Sequence, residues 1–166
     1  LHFIKAGQII KKYSLMILVF LILLSLVLSF GSCSRESCIG LPESLSRRII
    51  LDESAGILFM RNPLIGVGLG NFILMENSVI STIWYLQPVH NIFLLVLSES
   101  GIIGLLLFYN LASKALYNLR KDKDQYLVAA ILVICILGLS DHYWLTLQQS
   151  QLLFAIVLGA SFSKMG

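Results

Sequence analysis

Charged side chains are scarce in this chain. They make up 13% of its 166 residues, about half the share found in soluble domains. So few charges cannot clothe a water-soluble domain of this size. The same shortage excludes a disordered chain, which would be polar and highly charged. Cysteine is scarce as well: Cys33, Cys38 and Cys135 are the whole supply, too few and too scattered for a disulfide scaffold. A strongly basic face is missing, because the formal net charge is only +3, and this argues against a nucleic-acid binder. The three histidines, His2, His90 and His142, have no cysteine or carboxylate at a spacing that closes a metal site. Neither a P-loop nor a Gly-x-Ser-x-Gly elbow occurs. What is abundant is apolar: 57% of the residues are hydrophobic and the mean hydropathy is +0.87. The class that remains is an all-α polytopic membrane bundle.

Four apolar stretches read as spans, at about 13–30, 91–112, 126–141 and 143–162. The first is uncharged and, at 1.5 Å per residue, about 27 Å long, close to the ~30 Å hydrocarbon core. A signal peptide is the other reading. The run is long for one, and no clean small-residue cleavage site follows. The second stretch is interrupted only by Glu99, and the fourth carries Gln148, Gln149 and Gln151. The lysines and arginines then fix the orientation. The N-terminal stretch, the connector between spans two and three, and the tail with Lys164 carry net charges of +3, +2 and +1. They fall on one side, the cytoplasmic one. The segment 31–90 lies outside with a net charge of −1.

That outer segment is too long for a plain connector and too apolar for disorder. Pro42 suits a helix start, and Asn62-Pro63 ends the helix that follows. Ile49, Ile50, Leu51, Ala55, Leu58 and Phe59 make its apolar face; Arg47, Arg48, Asp52 and Glu53 make the polar one. The expectation is an amphipathic helix, either on the outer membrane surface or packed on the bundle. Gly66, Gly68 and Gly70 then alternate ahead of Asn71. They suit either a structural turn or a loop that approaches a substrate closely. The sequence Gln87-Pro88-Val89-His90-Asn91 leads into the second span and puts His90 at its outer end.

At these residues the chain resembles a known family. Arg48, the stretch Asn62-Pro63-Leu64-Ile65-Gly66-Val67-Gly68-Leu69-Gly70-Asn71-Phe72, His90-Asn91 and Glu99-Ser100-Gly101-Ile102-Ile103-Gly104 look like the C-terminal core of the O-antigen ligase/polymerase superfamily. Asp141-His142-Tyr143-Trp144 and Gln148-Gln149 resemble a later feature of such proteins. The resemblance covers roughly residues 40–160. It implies a multi-span glycosyltransferase of the bacterial cytoplasmic membrane, working on the outer side. The implied donor is a glycan on a polyprenyl diphosphate, the acceptor a glycan, lipid or protein, and no cofactor or metal is implied. Members usually have more spans, and this chain begins with Leu1. The expectation is therefore a C-terminal part of one membrane domain, whose N-terminal spans are a further partner.

Glycosyl transfer from a diphosphate needs a base for the acceptor proton and positive charge for the leaving group. His90 suits the first need, since imidazole is the side chain that changes charge near neutrality. The plain alternative is an interfacial histidine capping a helix. Arg48 suits the second need, followed by Arg47 and Arg61, because guanidinium binds phosphate oxygens through a planar fork. The alternative is an arginine facing water or headgroups. The resemblance selects Arg48 and a catalytic His90. Asn91, Glu99, Asp141 and His142 are supporting candidates. Glu99 is an acid inside a span, which calls for a partner or a cavity, or else for a structural hydrogen bond. A polymerase of the same superfamily is one rival function. A non-catalytic transporter or scaffold is another, disfavoured by the few polar residues inside the spans.

Overall fold

The computed structural model describes residues 42–79, 86–121 and 124–163, together with Met16 and Phe20, which are helical. The rest of the first expected span, Cys33 and Cys38, and Lys164 lie outside the described residues. What is described is all-helical, without a strand.

Helix α1 runs Glu43–Arg61. It starts directly after Pro42, whose carbonyl accepts from the N–H groups of Leu45 and Ser46 at 2.9 and 3.0 Å. It ends where Pro63 excludes helical backbone at Asn62; Asn62 has φ −139° and ψ 68°. Leu51, Ala55 and Leu58 are fully buried against Leu94 and Leu95. Packing thus decides between the two expected places for this helix: its apolar face lies on the bundle. The polar face keeps Arg48 and Glu53 exposed. A short helix, α2 (Phe72–Glu76), follows the glycine segment.

Helix α3 (Ile92–Lys121) carries the one stretch among the described residues, Ile92–Leu119, that is long and apolar enough to cross a membrane. At 1.5 Å per residue it would reach about 42 Å if straight. It is capped by Asn91, whose Oδ1 accepts from Phe93 and Leu94 N–H at 3.0 and 3.4 Å. It is interrupted at Gly101, with φ 66° and ψ −165°, a region open essentially to glycine alone. The chain 63–68 docks at this break. Ile102 and Ile103 donate to the carbonyls of Pro63 and Leu64, and Val67 and Gly68 donate to those of Ser98 and Glu99, at 2.8 to 3.2 Å. A broken helix in an apolar setting needs such partners, since no water is there to satisfy its backbone.

Helix α4 (Gln125–Leu137) is capped by Asp124, which accepts from Leu127 N–H at 3.1 Å. Helices α5 (Tyr143–Thr146) and α6 (Gln148–Ser163) are separated by Leu147 in an extended conformation. Ala112, Ala115, Leu116 and Leu119 of α3 pack with Val128, Ile131 and Cys135 of α4 and Val157 of α6 as the main core. The four-span expectation is met here by one helix of full length. Helices α4 and α6, with 13 and 16 residues, reach only about 20 and 24 Å, less than the ~30 Å core. The fourth apolar run is divided at Leu147. On α3, Ile102, Ile103, Leu106, Leu107 and Leu111 form an exposed apolar stripe, a surface that suits lipid or further helices.

One acid is buried in this framework without a full set of partners. Glu76 is 4% exposed, and its Oε2 has no hydrogen-bond partner among the described residues. Burial pushes its carboxyl up to about 7, and only the Gln87 backbone N–H opposes the shift. The folded state therefore holds the proton more tightly than the unfolded one. Stability should fall as pH rises from about 4.5 through about 7. Glu76→Gln should raise the thermal midpoint at pH 8 by the equivalent of up to about 3 kcal/mol and leave it unchanged at pH 4. Melting curves in lipid nanodiscs check this.

Candidate active site

The N-terminal end of α1, the segment before α3 and the turn after α4 meet at one place. Arg48 donates through Nη1 to the Ser140 carbonyl at 3.0 Å, across 92 residues of sequence. Two residues on, His142 is 9% exposed and meets His90 edge to face, with ring centroids 5.1 Å apart at 74°. Arg48, His90 and His142 thus gather within one neighbourhood. Asp141 sits at the same turn, its Oδ1 accepting from His142 N–H at 2.7 Å.

Each histidine is held by one ring nitrogen. Nδ1 of His90 lies 3.3 Å from the Pro88 carbonyl. A carbonyl oxygen can only accept, so Nδ1 carries the proton and Nε2 keeps its lone pair. Nδ1 of His142 lies 2.6 Å from Thr146 Oγ1. That hydroxyl also donates to the His142 carbonyl at 3.1 Å. Burial holds His142 below the ordinary histidine value; the neighbouring His90 adds to this, and Asp141 and a backbone hydrogen bond oppose it. The surroundings of His142 therefore favour its neutral form. One turn beyond Arg48 on α1, burial raises the Asp52 carboxyl to about 6, against the pull of Arg48.

Beside the pair opens a cleft of about 440 Å³, within the roughly 300–1,000 Å³ range of small-molecule sites. Leu69, Gly70, Phe72 and Ile73 form one wall, and Leu95, Val96 and Glu99 of α3 another. Pro88, Leu145, Thr146 and Gln151 complete it. Two of these lining residues are hydrogen-bonded to the histidines, Pro88 to His90 and Thr146 to His142; the imidazoles themselves stand behind the wall they form.

The other sequence candidates are placed apart or used differently. Arg47 pairs with Glu43 one turn earlier on α1. Arg61, about 20 Å along α1 from Arg48, donates to Ser78 Oγ at 3.0 Å and is not part of the cluster. Of the three alternating glycines, Gly70 lines the cleft. Gly66 and Gly68 dock at the break in α3, and Asn71 donates its Nδ2 back to the Val67 carbonyl at 3.1 Å. Asn91 is the cap of α3. Glu99 does reach the cleft, and its Oε1 accepts from Phe72 N–H at 3.2 Å. Sequence reasoning missed Thr146 and Ser140. Thr146 stands four residues after His142, one helical turn, and that spacing is the signal that could have found it. Ser140 acts through its main-chain carbonyl and leaves no side-chain signal.

The O-antigen ligase family model matches residues 3–109. The chain belongs to the O-antigen ligase family. This is a membrane-integral family, and it brings a coarse function with it, glycan ligation or polymerisation on lipid-linked substrates. No curated protein and no solved structure matches the chain. In this O-antigen ligase family chain the matched range holds Arg48, the glycine segment, His90 and Glu99. Asp141, His142 and Thr146 fall beyond it and join the cluster only through the fold.

Proposed function

We propose that this protein transfers a glycan from a polyprenyl diphosphate carrier to an acceptor hydroxyl, at the outer face of a bacterial cytoplasmic membrane. His90 Nε2 takes the proton from the acceptor. The freed oxygen attacks the anomeric carbon of the donor sugar. The bond from that carbon to the diphosphate oxygen breaks, and its electron pair leaves with the diphosphate. Arg48, on the first turns of α1, balances the leaving charge. The single observation that supports this most is the meeting of Arg48 with the His90–His142 pair through the Ser140 turn. A base and a phosphate-binding cation are the two groups the reaction needs, and the Ser140–His142 turn touches both, Arg48 at one residue and His90 at the other. The four-span topology, with 31–90 outside, belongs to the same proposal. It puts both groups where a lipid-linked sugar is presented.

The test is glycan transfer in membrane vesicles containing the protein, with a radiolabelled polyprenyl-diphosphate glycan as donor. Arg48→Ala should lower transfer by roughly tenfold or more, the scale of a lost charge-assisted bond. Arg61→Ala should leave it within about twofold, because Arg61 is tied to Ser78. Equal effects of the two would overturn the diphosphate assignment. Absence of transfer by the unsubstituted protein would overturn the reaction class.

A further inference from the structure

Glu99 is held at both ends by the glycine segment. Its main-chain carbonyl accepts from Gly68 N–H at 2.8 Å, and its carboxyl Oε1 accepts from Phe72 N–H at 3.2 Å. Oε2 has no hydrogen-bond partner among the described residues. The side chain lines the cleft among Phe72, Ile73, Leu95 and Val96. Glu99 is half-buried, so this acceptor oxygen stands at the wall of the cleft, open to a donor that enters it. The other polar groups there are already engaged: the Thr146 hydroxyl with His142 and the Gln151 amide N–H with the Leu145 carbonyl.

The chemistry of these walls selects the occupant. No lysine or arginine lines the cleft, and an acid stands in it, so a diphosphate is disfavoured there. A sugar ring fits both features, since its C–H faces are apolar and its hydroxyls are donors. We infer that the cleft seats the hydroxyl-bearing sugar of the acceptor, with Glu99 Oε2 accepting from a ring hydroxyl and fixing which sugar is taken. Pro88 and Thr146 at the rim then set another hydroxyl of that sugar beside the histidines. This assignment rests on the transfer reaction proposed above and names the acceptor side of its site.

Glu99→Gln separates a sugar-binding role from a purely structural one. Glutamine keeps an oxygen for Phe72 N–H and puts an N–H₂ donor in place of Oε2. The probe is octyl β-glucoside below its micellar concentration, titrated calorimetrically into the protein in lipid nanodiscs, with 1-octanol as the sugar-free control. The unsubstituted protein should bind octyl glucoside saturably. Glu99→Gln should weaken that binding roughly tenfold and leave octanol unaffected. Octyl glucoside affinity within about twofold of the unsubstituted protein would overturn the assignment, leaving Glu99 as a cap for α2. Equal weakening of octanol would overturn it too, since Glu99 would then serve the shape of the cleft. No saturable binding by the unsubstituted protein would do the same. The two readings fail separately: octyl glucoside binding is read without any donor, so saturable, Glu99-dependent binding by a protein that transfers no glycan would overturn the reaction and leave the sugar site standing.

Discussion

Glycan transfer should drop by roughly 10²–10⁴-fold when His90 is replaced by glutamine, the range of a lost general base. Glutamine can still donate to the Pro88 carbonyl, which lies 3.3 Å from Nδ1 in the native chain, so the local fold is retained. It has no lone pair of comparable basicity to put where Nε2 stands. The thermal midpoint should therefore stay put while activity is lost. One further readout separates a base from a scaffold. Added imidazole should restore part of the activity of His90→Ala, which leaves a vacant volume beside His142. Retention of transfer within about threefold in His90→Gln would remove His90 from the chemistry.

The second large effect is on stability. Gly101→Ala should destabilise the protein by roughly 3 kcal/mol or more. Two costs add. The backbone at φ 66°, ψ −165° is strained for any residue with a Cβ, by about 1–3 kcal/mol. A Cβ there would also lie 2.3 Å from the Leu64 carbonyl oxygen, so the docked segment must move away. That opens the bonds from Ile102 and Ile103 to Pro63 and Leu64, and each buried group left unpaired costs about 1–3 kcal/mol. Gly66→Ala meets the same interface from the other side, with a Cβ 2.3 Å from the Glu99 carbonyl carbon, and should behave alike. Gly70→Ala is the control. Its φ is 74° but nothing lies within 4 Å, so only the backbone strain remains. Unfolding midpoints of the three variants in nanodiscs should rank Gly70→Ala well above the other two. Similar midpoints for all three would mean that the docking of 63–68 on α3 carries little of the stability.

These two effects mark different depths of legibility. His90 and Arg48 stood out as candidates because reaction chemistry restricts the side chains that can serve: few groups take a proton near neutrality, and few bind a diphosphate. Helix α1 was readable because Pro42 and Asn62-Pro63 punctuate it and its apolar residues share a face. The glycine segment left two readings open, because alternating glycines signal unusual backbone without saying what it meets. The answer lay in Gly101, about 35 residues on, where α3 opens to receive it. Arg61 looked as suitable as Arg48 from its chemistry alone. The fold sets it at the far end of the same helix, against Ser78.

Composition by itself determined the class of this protein: with 13% charge and 57% hydrophobic residues, the chain has an apolar, helical solution and no soluble one. Local chemistry supplied candidates for a base and a cation, and the family resemblance chose His90 and Arg48 among them. Only the tertiary structure decided that His142 stands against His90, that Glu99 faces a cleft with one oxygen unused, and that the glycine segment mends a broken helix. The reason is physical. Composition and periodicity are properties of neighbours along the chain. The site, in contrast, depends on which buried faces pack, and packing joins Arg48 to Ser140 across 92 residues.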